Sequence, residues 1–537
     1  MKAQSILSLA AIAVNAVAQE IFEPSDFNAT DALIATGVDV SALPELAYLT
    51  EKRSLFSPCA TACNSLRFIF KKQVLTSGSY EYDAFTDSYW STQTASVKPY
   101  CVFKPARSAD VATLVLLSRL TQCPFATKGG GHTGFPGASS IEDGITVSLE
   151  DMNEITLSAD KKTAAIGPGN RWGAIYTKLA EHNLAVIGGR ASDVGLGLVL
   201  GGGVSHHSNI YGFACDNVAS FEVVTASGIT LTVTPTKFPD LYWALRGGGN
   251  NFGVVTKFTL ETVSQGLMWG GTRIHLEADY PKLIDAFATM AENTETDPKA
   301  VQILSFAVTA GSPAAQIQLE YLEPVDEANP PAILKNYLSI PPVIQSTINR
   351  TLASDTDMLN AQMPAGHRYS FWAGTFKIDR DFMAWMQALH QKNVGSLPDQ
   401  GSLTFQAFTV PALKQMSKKG GNALGLNPAD GPLFHVLLYM MWDDAAKDDT
   451  LNKAASEFME AVKVEAKNRG LYNRYIYMNY AGPYQNVVPG YGEENLARLK
   501  SIANKYDPKA IFRKLQPGGY KLEGAPYGYF INQTLWR

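Results

Sequence analysis

Three glycine-rich stretches, at residues 129–137, 188–203 and 247–253, fall within about one domain length and carry the densest chemical signal in the chain. Loops without Cβ atoms let backbone N–H groups approach a diphosphate closely, so a large phosphate-bearing cofactor laid across all three would explain them together. Turns in a loop-rich β domain are the competing account. The middle stretch contains Gly195-Leu-Gly-Leu-Val-Leu-Gly, and its GxGxxxG spacing, without a following ribose-binding acid, argues against a Rossmann dinucleotide fold. The first stretch places one imidazole, His132, in Lys128-Gly-Gly-Gly-His-Thr-Gly, where no helix face or core stripe accounts for it. Far along the chain, Tyr477-Met-Asn-Tyr480 sets two phenols and an amide within four residues. In a strand there, Tyr477 and Asn479 would alternate with Met478, so that one side would face a ligand. His435, between Phe434 and Val436 in an apolar strand, is either a substrate-facing group or a satisfied core histidine. The adjacent His206-His207 pair would face opposite sides of a strand, so it is not read as a metal site.

The elements that must position these groups follow an α/β pattern from about Ser96. Cys101-Val-Phe-Lys reads as a strand, Ala109 to Thr121 as a helix and Pro124 to Lys128 as a second strand that feeds the first glycine loop. Short strands are expected at 145–149, 154–157 and 163–166, and a helix from Trp172 to about His182. A hairpin closed by Ala226-Ser-Gly joins 221–224 to 229–233, and a strand covers 254–260. After about Ser264 the glycine clusters thin out and aromatic and Met residues increase. Strands at 301–308 and 433–442 and helices at 381–391 and 451–467 then suggest a separate domain. Leu496, Leu499, Ile502, Ala503 and Tyr506 give the tail one apolar helical face before Asp507-Pro.

Composition narrows the partners. The 45 Lys+Arg against 50 Asp+Glu leave a net charge of -5 spread thinly over 537 residues, so nothing gathers nucleic acid or an anionic membrane surface. Ile6 to Val17 is too short to span a membrane; after Lys2 and before Ala16-Val17-Ala18 it reads as a secretory signal peptide, cut after Ala18. In that compartment Asn28, Asn349 and Asn532 are possible glycosylation acceptors. Cys59, Cys63, Cys101 and Cys123 could form two disulfides in any of three connectivities, and Cys215 reads as a small buried hydrophobe.

The first glycine loop resembles the flavin-attachment loop of the FAD-binding vanillyl-alcohol oxidase and p-cresol methylhydroxylase type, in particular its berberine bridge enzyme-like subgroup. The resemblance continues through Gly144-Ile-Thr-Val-Ser-Leu-Glu-Asp-Met-Asn, Gly167-Pro-Gly, Gly201-Gly-Gly-Val-Ser, Tyr211-Gly-Phe-Ala-Cys-Asp-Asn-Val and Trp243-Ala-Leu-Arg-Gly-Gly-Gly-Asn-Asn-Phe-Gly-Val-Val-Thr. It ends on Tyr477-Met-Asn-Tyr and Tyr506-Asp-Pro, covering about residues 95–265 and 475–515. It implies FAD bound covalently through His132. A second attachment, which many members make through a cysteine, is absent because the corresponding place near Ala191 has no thiol. Other departures are a region one residue short between Gly197 and Gly201, Asn250 for a usual fourth glycine, and Gly482 where an acid often follows the Asn-Tyr pair.

By the same resemblance the cofactor-binding residues are Lys128, Gly129, Gly130, Gly131, His132, Thr133, Gly134, Gly137 and Ser139 of the first loop. Gly195, Gly197, Gly202, Gly203, Gly253, Val254, Val255, Tyr477 and Asn479 complete the set, and Tyr480 is the base, with His435 as a second catalytic candidate. The implied fold class is α+β: a two-part FAD-binding domain of the vanillyl-alcohol oxidase type plus an α+β substrate domain. The expected organisation is a signal peptide at 1–18, an N-terminal segment at 19–95, the FAD domain at 96–265, the substrate domain at 266–474 and a returning segment at 475–537. The expected function is a secreted oxidase that takes a hydride from a small organic substrate and passes electrons to O2, giving H2O2. A flavin-containing cyclase without net oxidation and a carbohydrate oxidase are the alternatives. The missing cysteine and the apolar Phe405, Phe408, Tyr439, Met440, Met441 and Trp442 favour a lipophilic natural-product substrate.

Overall fold

The computed structural model describes residues 22–43, 46, 57–309, 312–395, 397 and 400–526. The expected signal peptide and Asn532 lie outside the described residues. Among those residues no helix is long and apolar enough to cross a membrane.

The first layer is a four-stranded sheet ordered Val74–Thr76, Cys101–Phe103, Ile145–Ser148, Phe125–Lys128. The expected strand, helix, strand start is present, with the helix at Ser108–Thr121 burying Val111, Leu114, Val115 and Leu117. Its two flanking strands are not neighbours, because Ile145–Ser148 inserts between them and pairs parallel with both. Two disulfides, Cys59 with Cys123 and Cys63 with Cys101, select one of the three connectivities and pin the helix Pro58–Phe70 to this sheet. Cys215 is free and buried.

A six-stranded sheet forms around the long strand Val254–Ser264, which runs antiparallel to Thr163–Ile166, Leu184–Val186 and Val218–Val224. The hairpin joins Val218–Val224 to Thr230–Val233 through Gly228, whose φ of +75° needs a residue without a Cβ. Strands from Met268 onward enter a third, nine-stranded sheet that ends at Tyr472–Asn473.

Period-two alternation gives this sheet two faces. Leu304, Phe306, Leu403, Phe405, Val436, Leu438 and Met440 pack in one core with Phe287, Met386 and Phe458 of the helices Tyr280–Asn293, Arg380–Asn393 and Asp448–Asn468. Their neighbours Ile303, Ser305, Thr404, Gln406, Leu437 and Tyr439 turn the other way, into a cavity. Of the apolar set Phe405, Phe408, Tyr439, Met440, Met441 and Trp442 only Tyr439 lines the cavity, while Phe405, Met440 and Trp442 belong to the helix-backed core.

The tail returns as expected. Glu493–Tyr506 buries Leu499, Ile502, Ala503 and Tyr506 on one face, and Asp240 receives hydrogen bonds from Lys505 at 2.7 Å and Tyr506 at 2.8 Å. Beyond it, the Leu515 carbonyl accepts from the Phe125 N–H at 2.6 Å, while the Asn250 amide donates to the Gly518 carbonyl and the Asn251 amide to the Tyr520 carbonyl, both at 3.0 Å.

Candidate active site

A cavity of about 950 Å³ separates the glycine stretches from the open face of the nine-stranded sheet. Two of those stretches touch backbone to backbone. A Cβ on Gly130 would meet the Gly195 nitrogen at 2.6 Å, and one on Gly195 would meet the Gly130 nitrogen at 2.4 Å, so any side chain at either place would push the walls apart. Gly197 faces the cavity with no atom within 4 Å of where a Cβ would stand. Gly129, Gly131, Thr133, Gly134 and Ser139 line the same wall, and Gly253, Val254 and Val255 enter from the central strand of the second sheet.

The remaining glycines expected at the cofactor serve the course of the chain instead. Gly202 (φ +103°) and Gly203 (φ +86°) make the left-handed exit from the short helix Leu196–Gly201, and Gly137 (φ +89°) presents its carbonyl to Gly518; none of the three lines the cavity. Lys128 is likewise off the wall. It is buried under the loop, with its ammonium 4.4 Å from the Phe85 ring centroid and donating to Ser88 Oγ at 3.2 Å. Burial lowers its pKa to about 8.

His132 stands at the end of an aromatic stack. Its ring lies 4.3 Å from Trp90, which lies 3.6 Å from Tyr369 on its other face. The imidazole Nε2 is buried without a hydrogen-bond partner, and burial lowers the pKa to about 4, so the ring is neutral. Arg171 fastens the loop by donating to the Gly130 carbonyl at 3.1 Å.

Tyr477, Asn479 and Tyr480 all line the cavity, because Met478–Tyr480 is a tight 3-10 turn and not the expected strand, whose alternation would turn Tyr480 away from Tyr477 and Asn479. The Tyr477 hydroxyl accepts from the Val204 N–H at 2.8 Å and from Asn479 Nδ2 at 3.0 Å, and the same amide donates to the Leu198 carbonyl. These two residues therefore bind the turn to the middle glycine stretch. Burial raises the Tyr477 pKa.

The Tyr480 hydroxyl accepts a hydrogen bond from Arg190 Nη2 at 2.9 Å. Arg190 also donates to Gln406 Oε1. His435 lies behind this pair, 3.2 Å from the same Gln406 oxygen through Nε2, and stacks on Phe408 at 4.6 Å. It is fully buried, its pKa is held well below the ordinary value by burial, and it is not on the cavity wall. As a catalytic candidate it is corrected to a group behind the wall, which meets the site through Gln406 and the rings of Tyr477 and Tyr480.

Arg190, Gln406, Trp90 and Tyr369 were missed as site residues. Arg190 left a trace, the one cation inside the middle glycine stretch. Gln406 continues the polar alternation of Ser402 and Thr404 along the strand Gln400–Phe408. Trp90 and Tyr369 come from distant segments, and only the fold stacks them. His206-His207 forms a turn and not a strand, though the two rings do diverge: His207 meets Gln265 Oε1 at 2.6 Å, while His206 points at two carboxylates.

The residues fit FAD: a backbone-lined wall able to receive a diphosphate, a buried imidazole nitrogen without a partner at the loop, and room for a substrate against the opposite sheet. Comparison with known proteins agrees. Residues 99–234 match the model of the FAD binding domain family. The chain is 36% identical over 455 residues to the FAD-dependent monooxygenase tpcD of Cochliobolus heterostrophus, covering 81% of this chain and 87% of that protein. It is 34% identical to the FAD-dependent monooxygenase FUP4 of Fusarium proliferatum, over 87% and 95% of the two chains. Among solved structures it is similar to xylooligosaccharide oxidase from Myceliophthora thermophila (TM-score 0.71, 20% identity, 87% and 99% covered). It is also similar to 6-hydroxy-D-nicotine oxidase from Arthrobacter nicotinovorans (TM-score 0.70, 22% identity, 84% and 98% covered). The chain therefore belongs to the p-cresol methylhydroxylase and vanillyl-alcohol oxidase type of FAD-binding flavoproteins, and it is an FAD-linked oxidoreductase.

Proposed function

We propose that the protein is a secreted FAD-dependent oxidase of a small secondary-metabolite substrate, with the flavin joined covalently to His132 alone and Tyr480 as the base. The observation that carries this reading is the cavity-facing Tyr480 hydroxyl held by the Arg190 guanidinium at 2.9 Å. FAD, when bound, supplies the acceptor for the substrate hydride. Tyr480 takes the accompanying proton, and Arg190 offers the charged donor that a phenol oxygen needs once it carries negative charge. Gln406 fixes Arg190, and the buried His435 ring packs at 5.4 Å against Tyr480 and limits its movement. The glycine backbone at 129–131 and 195–197 would hold the diphosphate, and the stack on Trp90 would keep the neutral His132 ring in one orientation for bond formation.

Ser305, Gln318, Thr404 and Gln406 stand among Ile303, Leu437 and Tyr439 on the substrate wall, which suits a largely apolar molecule bearing several oxygen functions. The same polar residues support a carbohydrate as the second reading. The names of the fungal relatives support a third outcome, transfer of an oxygen atom to the product. One experiment separates them: turnover under 18O2 with a panel of polyketide-like phenols, aromatic alcohols and oligosaccharides. The oxidase reading expects label in hydrogen peroxide, one per substrate oxidised, and none in the product; label in the product sinks it. Acid precipitation tests the flavin bond separately. The pellet should stay yellow for wild type and turn colourless for His132→Ala, and a colourless pellet from flavin-loaded wild type rules the bond out.

A further inference from the structure

Away from the cavity, three side chains are brought together with no hydrogen-bond partner for any of their polar atoms. His206 is 1% exposed, Glu320 0% and Asp355 0%, and both ring nitrogens and all four carboxylate oxygens are unpaired. They arrive on three separate elements: the turn that follows Gly201-Gly-Gly, the strand Ser312–Tyr321 and the helix Leu352–Asn360. His206 Nε2 is 3.5 Å from Asp355 Oδ2 and His206 Nδ1 is 3.8 Å from Glu320 Oε2, and one ligand atom from each residue can be chosen so that all three lie within 4.8 Å.

The two nearest guanidiniums hydrogen-bond elsewhere, although both favour the charged form of Glu320. Arg190 is committed to Gln406 and Tyr480, and Arg350 to the Ser346 carbonyl and Met358 Sδ. His207, next in the chain, turns away to Gln265, and Gln318, two residues before Glu320, is the nearby amide. Burial, with Asp355 alongside, raises the Glu320 pKa well above its ordinary value against the pull of Arg190 and Arg350, and burial raises that of Asp355 to about 6 and lowers that of His206 well below its own. Each of these buried polar atoms is left without a partner, which costs stability.

We propose that His206, Glu320 and Asp355 bind one divalent first-row cation of the Zn2+ or Mn2+ class, which clamps the middle glycine stretch to the substrate sheet and to the helix Leu352–Asn360. One nitrogen with carboxylate oxygens is a donor set these ions accept. Donors at about 2.0–2.2 Å from a four-coordinate ion lie about 3.3–3.5 Å apart, so movements of an ångström or less from the present spacing close the site. With the ion on one ring nitrogen, the other can donate its N–H to a free carboxylate oxygen and fix the tautomer. A small cavity of about 30 Å³ beside His206, bounded by Ser205, Asn209 and Gln302, gives room for a bound water. None of the three ligands lines the large cavity, so the ion would act on the architecture of the site and not on the reacting atoms.

The test uses the flavin-loaded protein, stripped by dialysis against a chelator and reloaded separately with Zn2+, Mn2+ or Co2+, with metal content read by mass spectrometry after gel filtration. One ion per chain is expected for at least one of the metals. Its binding should raise Tm by about 5–10 °C. It should also release about one to two protons per ion at pH 6, because the acids start protonated. Glu320→Gln and Asp355→Asn should each lose the ion while keeping flavin absorbance. Wild type that stays folded and yellow yet takes up no stoichiometric ion, with no change in Tm, overturns the proposal. Full metal content in the Glu320→Gln, Asp355→Asn double variant does so as well. If either variant fails to fold, proton release and the Tm shift of wild type still decide the question.

Discussion

The two walls of the cavity are made of different materials. One is glycine backbone from residues 129–134 and 195–201, where the useful property is the absence of a side chain. The other is side chain: Gln318, Thr404, Gln406 and Tyr439 from strands of the nine-stranded sheet, with Tyr480 and Arg190 at its margin. A backbone wall can accept any ligand that presents phosphate oxygens at close range, and a side-chain wall can select one substrate and move a proton. Damage to the first should therefore cost the cofactor, and damage to the second should cost chemistry while the cofactor stays.

Tyr480→Phe is the strongest test of that division. It keeps the ring that packs against His435 and deletes only the acid-base group, so flavin reduction in rapid mixing should slow by about two to four orders of magnitude with flavin content unchanged. A variant that reduces at the wild-type rate removes Tyr480 as the base. Arg190→Met, which keeps bulk but loses the donor to Tyr480, should slow the same step by about 10–100-fold, the worth of one charge-assisted hydrogen bond. The loss should shrink as the pH is raised, since hydroxide then assists deprotonation; an equal loss at every pH would point to packing alone. Gly195→Ala strikes the other wall. The residue sits at φ -89°, which any amino acid adopts, so its only fault is the 2.4 Å approach to Gly130. It should cost about 1–3 kcal/mol and lower flavin retention, while molecules that keep the flavin turn over near the wild-type rate. Equal retention would show that the two loops do not need their contact.

The smallest effect should come from a site on neither wall. His390 is buried in the helix Arg380–Asn393 with Nε2 unpaired, and burial lowers its pKa to about 4. The unfolded chain therefore binds more protons than the folded one between pH 4 and 6.5. The stability that this histidine contributes is full above pH 6.5 and is lost as the pH falls toward 4. Denaturant titrations of His390→Phe across that window should show the slope of stability against pH reduced by about 1 kcal/mol per unit, with flavin binding and turnover untouched. An unchanged slope would place the acid sensitivity in other buried histidines.

The same difference of materials decides what could be read from the sequence. The glycine wall was legible because glycine at Gly130, Gly195 and Gly197 is itself the signal, and short local spacing carries it. Long periodic elements were also legible: Leu433–Trp442 has the expected bounds, and Glu493–Tyr506 has the expected apolar face. The side-chain wall was not. Which of Phe405 and Gln406 faces the substrate is settled by strand register across Ala300–Thr309 and Leu433–Trp442, and a shift of one residue exchanges the two faces. Tyr477 and Asn479 were assigned to a strand because three residues cannot show whether their period is two or three. His206 was weighed against its neighbour in sequence, whereas the carboxylates it meets are more than a hundred residues away.

The returning segment has a consequence for biosynthesis. Gln516, Gly519 and Tyr520 contribute to the cavity, and Asn250 and Asn251 hold them there. On the ribosome these residues emerge after both walls have been translated, so a nascent chain halted at residue 500 would own every glycine loop and the proposed base yet lack part of the enclosure. Flavin capture in its final form thus waits for residues 516–520, and a lesion there would leave both walls made and the enclosure incomplete.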